Sequence, residues 1–310
     1  MVSKAVADRV AKIASEMGYA RSSLAYGLRT GRTCTVGVVI PDLTNPLFPP
    51  IIRQIESTLA DHGYIVVIAD SDNDQGKEME IVQSLKARNV DGLILATAHR
   101  EDSVVNACID DDIPLILVNR TIDSHLVTAV INDDNHGIEL AVSHLVELGH
   151  KSIAYLGGPQ DTSTGHDRFQ AFKKMQRKGT FKSHNELILN CKAFTEPEGH
   201  RGFLSILDKN RKFTAVVAAN DMLALGCYDA MEEVGLNCPA DISVTGFNDM
   251  PFMNRLSPPL TSLRIAHREI GDQAAKFLLQ RIQDPESPIK TVNQLPELVV
   301  RGSTASPKSR

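Results

Sequence analysis

Past Thr33 the chain alternates short apolar runs with amphipathic helical stretches, and that alternation is the pattern of βα units feeding parallel sheets. The runs are Cys34–Ile40, Tyr64–Ala69, Val90–Ala96, Pro114–Val118, Leu126–Ile131, Ser152–Gly157, Phe213–Ala219 and Ile242–Phe247. Between them the spacing of apolar residues predicts helices over Leu47–His62, Asp74–Arg88, Asp134–Leu148, His166–Lys178, Asp221–Val234 and His267–Gln283. Glycine stands at four expected helix ends, Gly18, Gly63, Gly149 and Gly235, where the left-handed cap conformation favours a residue without Cβ. Two sets of strands in 310 residues imply two α/β lobes.

The first 33 residues read differently. Val10, Ile13, Ala14 and Met17 recur at helical spacing, and a second stretch, Arg21 to Arg32, puts Leu24, Ala25 and Leu28 on one face. Ser22, Ser23 and Gly27 make that second helix marginal unless it gains a partner. Six cations (Lys4, Arg9, Lys12, Arg21, Arg29, Arg32) face two anions (Asp8, Glu16), so this segment carries +4 and leaves −9 for the rest of a chain of net charge −5. A basic arm on an acidic body fits either a solvated surface helix or a nucleic-acid contact.

Several classes of chemistry find no support. There is no P-loop, no G-x-G-x-x-G after a strand, no G-x-S-x-G elbow and no H-E-x-x-H. Gly157-Gly158-Pro159 follows a strand but lacks the lysine or serine of a phosphate loop, so it reads as a turn. His136, His144, His150 and His166 lack metal-ligand spacing, and Asp110 to Asp112 read as the solvated end of a helix. Five scattered cysteines, the absence of an apolar leader and the absence of a long apolar span point to the cytoplasm. No catalytic residue, metal or cofactor is expected, and the chain reads as a non-enzyme.

Two groups of motifs carry a resemblance. One is Gly18-Tyr19-Ala20-Arg21-Ser22-Ser23-Leu24-Ala25-Tyr26-Gly27-Leu28-Arg29 running into Val36-Gly37-Val38-Val39-Ile40-Pro41-Asp42 and Asn45-Pro46-Leu47-Phe48. The other is Leu148-Gly149-His150-Lys151 with Ile153 to Gly158, then Ala219-Asn220-Asp221, Asp241 to Phe247 and Pro258-Pro259-Leu260-Thr261-Ser262. Together they resemble the LacI/GalR family of transcription regulators over essentially the whole chain. The resemblance implies an α/β fold: a two-lobed, periplasmic-binding-protein-like (type I) core of parallel sheets behind an all-α headpiece and hinge helix. Residues 1–20 match the end of a helix-turn-helix headpiece, so its first two helices, recognition helix included, are expected to be missing. Residues 21–33 match the hinge and 34–304 the effector domain, with one lobe at 34–149 and 267–293, the other at 150–266 and 294–304, and a disordered tail at 305–310.

The implied partners are operator DNA, a small polar effector such as a sugar between the lobes, and a second copy of the chain in a homodimer. At the DNA, Leu28 matches the residue that wedges into the minor groove, flanked by Ser22, Ala25 and Arg29, with phosphate contacts from Arg29 or Arg32; alternatively Leu28 packs the linker on the lobe. At the effector, Arg168 matches the arginine that grips a hydroxyl or carboxylate at the mouth of the cleft, or else forms a surface ion pair. Asp133 and Asn220 match further cleft positions, while Leu47 and Phe48 match its apolar wall, although Phe48 could equally be core. Asn248 is an amide where the family usually has aspartate, which changes an acceptor of two hydroxyls into one acceptor and one donor. The leading expectation is thus an effector-controlled repressor. The other reading is a soluble sugar-binding module without a DNA function, favoured by the missing helices.

Overall fold

A computed structural model of the chain describes residues 6, 9, 13, 32–209 and 212–308. The described strands form two six-stranded sheets. The first, in order β11-β5-β4-β3-β1-β2, is parallel throughout and uses β1 (Thr35–Ile40), β2 (Ile65–Asp70), β3 (Gly92–Leu95), β4 (Leu115–Val118), β5 (Thr128–Asn132) and β11 (Thr291–Gln294). The second, β12-β10-β9-β8-β6-β7, uses β6 (Ile153–Gly157), β7 (Ile188–Asn190), β8 (Ala215–Ala218), β9 (Ser243–Asn248), β10 (Thr261–Arg264) and β12 (Glu297–Val299); only β12 runs antiparallel. Parallel strands covered by helices on both faces must be apolar throughout, and Gly-Leu-Ile-Leu of β3, Leu-Ile-Leu-Val of β4 and Ala-Val-Val-Ala of β8 are buried at every position.

Eight described helices cover the sheets: α1 (Phe48–Ala60), α2 (Gln75–Ala87), α3 (Ser103–Asp110), α4 (Asp134–Glu147), α5 (Ser163–Arg177), α6 (Glu196–Leu207), α7 (Asp221–Glu233) and α8 (His267–Gln283). Side-chain oxygens satisfy the first amides of several: Asp74 accepts from Lys77 N, Asp102 from Val104 N and Val105 N, and Thr162 from Gly165 N. Gly63, Gly149 and Gly235 take positive φ at the ends of α1, α4 and α7, as their positions in the sequence require. Helix α6 escaped the sequence reading because Glu-Pro-Glu-Gly-His-Arg-Gly is poor helix sequence. Its glycines serve packing: a Cβ on Gly199 would lie 2.5 Å from the Leu223 carbonyl of α7, and one on Gly226 of α7 would lie 2.1 Å from the Glu196 carbonyl. The two helices touch backbone to backbone, and that contact overrides propensity.

The chain crosses between lobes three times, but the first crossing differs from the expected boundary after Gly149. Helix α4 packs on α5 and on the second sheet, through buried Ile138, Ala141, Val142 and Leu145. The crossing therefore falls between Asn132 and Asp133, since an amphipathic helix belongs to whichever core its apolar stripe covers. The second crossing lies at Ile265–Ala266, from β10 to α8, which packs on α1 and β4. The third lies between Gln294, paired with Asn132 in the first sheet, and β12 in the second.

The expected disordered tail is corrected for residues 305–308. Ala305 N donates to Ser243 Oγ at 3.1 Å, the Ala305 carbonyl lies 2.9 Å from His150 Nε2, and Lys308 pairs with Asp241 at 3.0 Å. His150, 2% exposed, meets Thr214 Oγ1 at 2.8 Å through its other nitrogen, so it serves as a buried strut.

Candidate functional site

Open parallel sheets leave a crevice beyond the carboxyl ends of their strands, and there the two lobes face each other. A cavity of about 140 Å³ opens between them. Nearly every side chain that lines it follows the end of a strand: Asn45, Leu47 and Phe48 after β1, Asn73 after β2, His99 after β3, Asn119 and Arg120 after β4. From the second lobe come Asp161, Thr162 and Thr164 after β6, Lys192 and Phe194 after β7, Asn220 after β8, and Asn248 at the end of β9.

Arg168, in the second turn of α5, is the largest of the fully buried side chains, 2% exposed. It stands in the cavity wall, not at an exposed mouth, and its ion pair is buried, not at the surface. Nε donates to Asp134 Oδ1 at 2.8 Å and Nη1 to the Ala219 carbonyl at 2.7 Å, while the guanidinium lies 3.8 Å from the Phe247 ring centroid and 6.0 Å from that of Phe194. Burial raises Asp134 to about 6 against the pull of Arg168, which leaves the pair ionic at neutral pH. Gly137 of α4 makes room for this stack: a Cβ there would come 2.4 Å from Phe247.

Asn220 caps α7, its Oδ1 accepting from Leu223 N at 2.9 Å, and so presents the other end of its amide to the cavity it lines. Asn248 is 2% exposed with Oδ1 lacking any partner. It has φ 110° and Asp249 has φ 46°, two consecutive non-glycine residues in the left-handed half of the map. The bend is braced. Asp221, wholly buried, accepts from Ser262 Oγ at 2.5 Å and Met250 N at 2.8 Å, and Asp249 pairs with Arg264 at 2.8 Å and Arg301 at 2.7 Å. Burial lifts Asp221 to about 7. A strained, braced amide with an orphaned acceptor thus stands in the cavity wall.

Of the six expected effector residues, the structure brings five to the cavity: Leu47, Phe48, Arg168, Asn220 and Asn248. Leu47 and Phe48 are also core, 4% and 2% exposed, so wall and core are the same surface. Asp133 does not line the cavity; its carboxylate caps α4 by accepting from His136 N at 2.8 Å, and the adjacent Asp134 holds Arg168. Sequence reasoning passed over Arg120, Asn119, Asn73 and Phe194, although their places just beyond strand ends offered a signal. Of the expected DNA contacts, Ser22, Ala25, Leu28 and Arg29 lie outside the described residues, as does nearly all of the expected headpiece remnant. Exposed Arg32 donates through Nη2 to the Ile282 carbonyl at 3.1 Å, near the end of α8, so here it binds the lobe. Among the described residues no group of three or more His, Cys, Asp or Glu could hold a metal ion, and no helix is long and apolar enough to cross a membrane.

The periplasmic binding protein-like domain family matches residues 142–304. The HTH-type transcriptional repressor PurR of Vibrio vulnificus is 30% identical over 304 residues, covering 97% of this chain and 90% of the relative. The chain belongs to the LacI/GalR family of transcription regulators. A LacI family regulator from Enterococcus faecium with bound ribose superposes with a TM-score of 0.77 at 31% identity, over 88% of this chain and all of that one. The lac repressor dimer bound to operator superposes with a TM-score of 0.85 at 25% identity, over 98% and 92% of the two chains. This LacI/GalR regulator therefore shares its overall fold with a ribose-bound regulator and with an operator-bound repressor.

Proposed function

We propose that this regulator is a cytoplasmic, homodimeric repressor whose interlobe cavity takes a monosaccharide-sized polar effector. The observation that carries the reading is the cavity itself: at about 140 Å³ it is smaller than the ~300–1,000 Å³ of most ligand pockets, and its polar groups converge on it from both lobes. Arg168 and Asn220 would donate to ligand oxygens, Asn248 Oδ1 would accept from a hydroxyl, and Leu47 and Phe48 would pack against the ligand's apolar face. Because contacts come from both lobes, a bound effector would favour one relative lobe orientation, which biases the hinge segment at 21–33 and hence DNA affinity. The edge strand β2 supports a dimer: Ile65, Val67 and Ile68 are 64%, 38% and 46% exposed on the unpaired side of the first sheet. Hinge residues Ser22, Ala25, Leu28 and Arg29, with Arg32 once freed from α8, would meet the minor groove and its phosphates.

The test is calorimetric titration with pentoses, hexoses, their acidic derivatives and purine bases, on the parent and on Asn220→Ser. Serine keeps the helix cap and loses the amide donor. Binding at one site per chain, weakened at least about tenfold by the substitution, is the expected result. Binding of none, or binding indifferent to Asn220→Ser, refutes the assignment of the cavity.

A further inference from the structure

A guanidinium withdrawn from water requires a counter-charge or a full set of acceptors. Arg168 has its carboxylate. Arg120, on the opposite wall of the same cavity, has none: among the described residues no carboxylate oxygen lies within 4 Å of it. It is 6% exposed; Nη1 donates to the Thr97 carbonyl at 3.2 Å, Nη2 to Asn73 Oδ1 at 3.3 Å, and Nε has no partner. Burial lowers its pKa only to about 10, so it is a cation at neutral pH. The carboxylates that influence it do so from a distance. Asp161 is 66% exposed and faces His99 at 3.3 Å, and Glu78 is hydrogen-bonded to Thr97 Oγ1 and raised by burial to about 7.

The amides around the cavity add to the imbalance. Asn119 Oδ1 accepts from Asn132 Nδ2 at 3.4 Å, and Asn220 Oδ1 is spent on its helix cap, so both turn their donor ends to spare. A cavity meant for a neutral polyol needs acceptors for the hydroxyl protons. This one offers a buried cation and surplus donors; of its lining carboxylates, Asp42 already accepts from Thr44 N and Oγ1 and exposed Asp161 faces His99, while Asn248 Oδ1 is a buried acceptor still unused.

We infer that the effector is a monosaccharide carrying an anionic group, a carboxylate or a phosphate monoester, seated against Arg120. The inference rests on the cavity being the effector site. The anion supplies the acceptors that Nε and the amide donors lack, and charge-assisted bonds to a guanidinium in a water-poor site are the strong ones. Asn248 Oδ1 takes a ring hydroxyl at the other end.

Calorimetric titration distinguishes the cases with D-glucose, D-ribose, D-glucuronate, and the phosphate monoesters of glucose and ribose at their primary hydroxyls. At least one acidic member should bind about tenfold or more tightly than its neutral parent, and which acid binds separates carboxylate from phosphate. In Arg120→Gln the ratio of acidic to neutral affinity should fall toward one. Asn248→Asp, which keeps shape and adds a carboxylate to the cavity, should lower the same ratio, and it reads out even where Arg120→Gln fails to fold. A neutral sugar bound as tightly as its acid, or a ratio unmoved by either substitution, overturns the anionic assignment while leaving the cavity as a sugar site. Binding of no sugar at all, neutral or acidic, removes that site and the anionic assignment with it.

Discussion

Replacing Arg168 by methionine keeps an unbranched side chain against Phe247 but strips Asp134 of its counter-charge. Asp134 is 7% exposed, and burial holds its carboxyl at about 6 even with the guanidinium 2.8 Å away. Because the folded-state value lies above the unfolded one, stability associated with this group declines as pH rises from about 4 through about 6. Without Arg168 the folded-state value climbs further, and the decline continues at about 1.4 kcal/mol per pH unit past the point where the parent levels off. The extra electrostatic cost is thus close to nil near about pH 5 and roughly 2 kcal/mol near about pH 7.5. Loss of the bond to the Ala219 carbonyl adds roughly 1 kcal/mol at every pH. Urea unfolding of parent and Arg168→Met at the two pH values measures the difference. Adding Asp134→Asn should recover the pH-dependent part and leave effector binding abolished. An equal loss at both pH values, or no loss at all, would refute the claim that this buried pair is ionic and structural.

Asp221→Asn should gain stability over the parent as pH rises from about 5 to about 8, since the parent's carboxyl, raised to about 7, loses its favourable protonated form across that range. His144, His150 and His267, whose values burial lowers, act in the opposite direction, and comparing thermal midpoints of parent and variant cancels them. Gly226→Ala should cost about 2 kcal/mol or more in chemical denaturation, because its Cβ would sit 2.1 Å from the Glu196 carbonyl and force α6 from α7. Duplex binding followed by fluorescence anisotropy should weaken steeply as salt rises, in keeping with the +4 carried by residues 1–33; affinity independent of salt would exclude the basic arm from the contact.

Helices α1, α2, α4, α5, α7 and α8 were legible because each repeats apolar residues at helical spacing, and α8 begins and ends where the spacing placed it. What the sequence concealed was partnership. Nothing local in Ile138, Ala141, Val142 and Leu145 tells which sheet they will cover, so α4 was expected on the wrong lobe. The three- and four-residue strands β7, β10, β11 and β12 are too short to show a period. Of the residues a motif singled out, Arg168, Asn220 and Asn248 line the cavity and Asp133 does not, since two adjacent aspartates at a helix start divide the tasks of capping and ion pairing only in three dimensions. Arg120 stayed hidden because a cation after an apolar strand is ordinary in sequence; only its burial without a carboxylate sets it apart.

The effector's proposed place is the cavity between the lobes. Side-chain amide and guanidinium NMR during titration with the tightest-binding sugar reads that directly. The resonances of Asn119, Asn220 and Asn248 Nδ2 and of Arg120 Nε should shift together and saturate at one ligand per chain, while those of Asn185 and Asn237, remote from the cavity lining, stay in place. Shifts confined to residues outside the cavity would contradict the account.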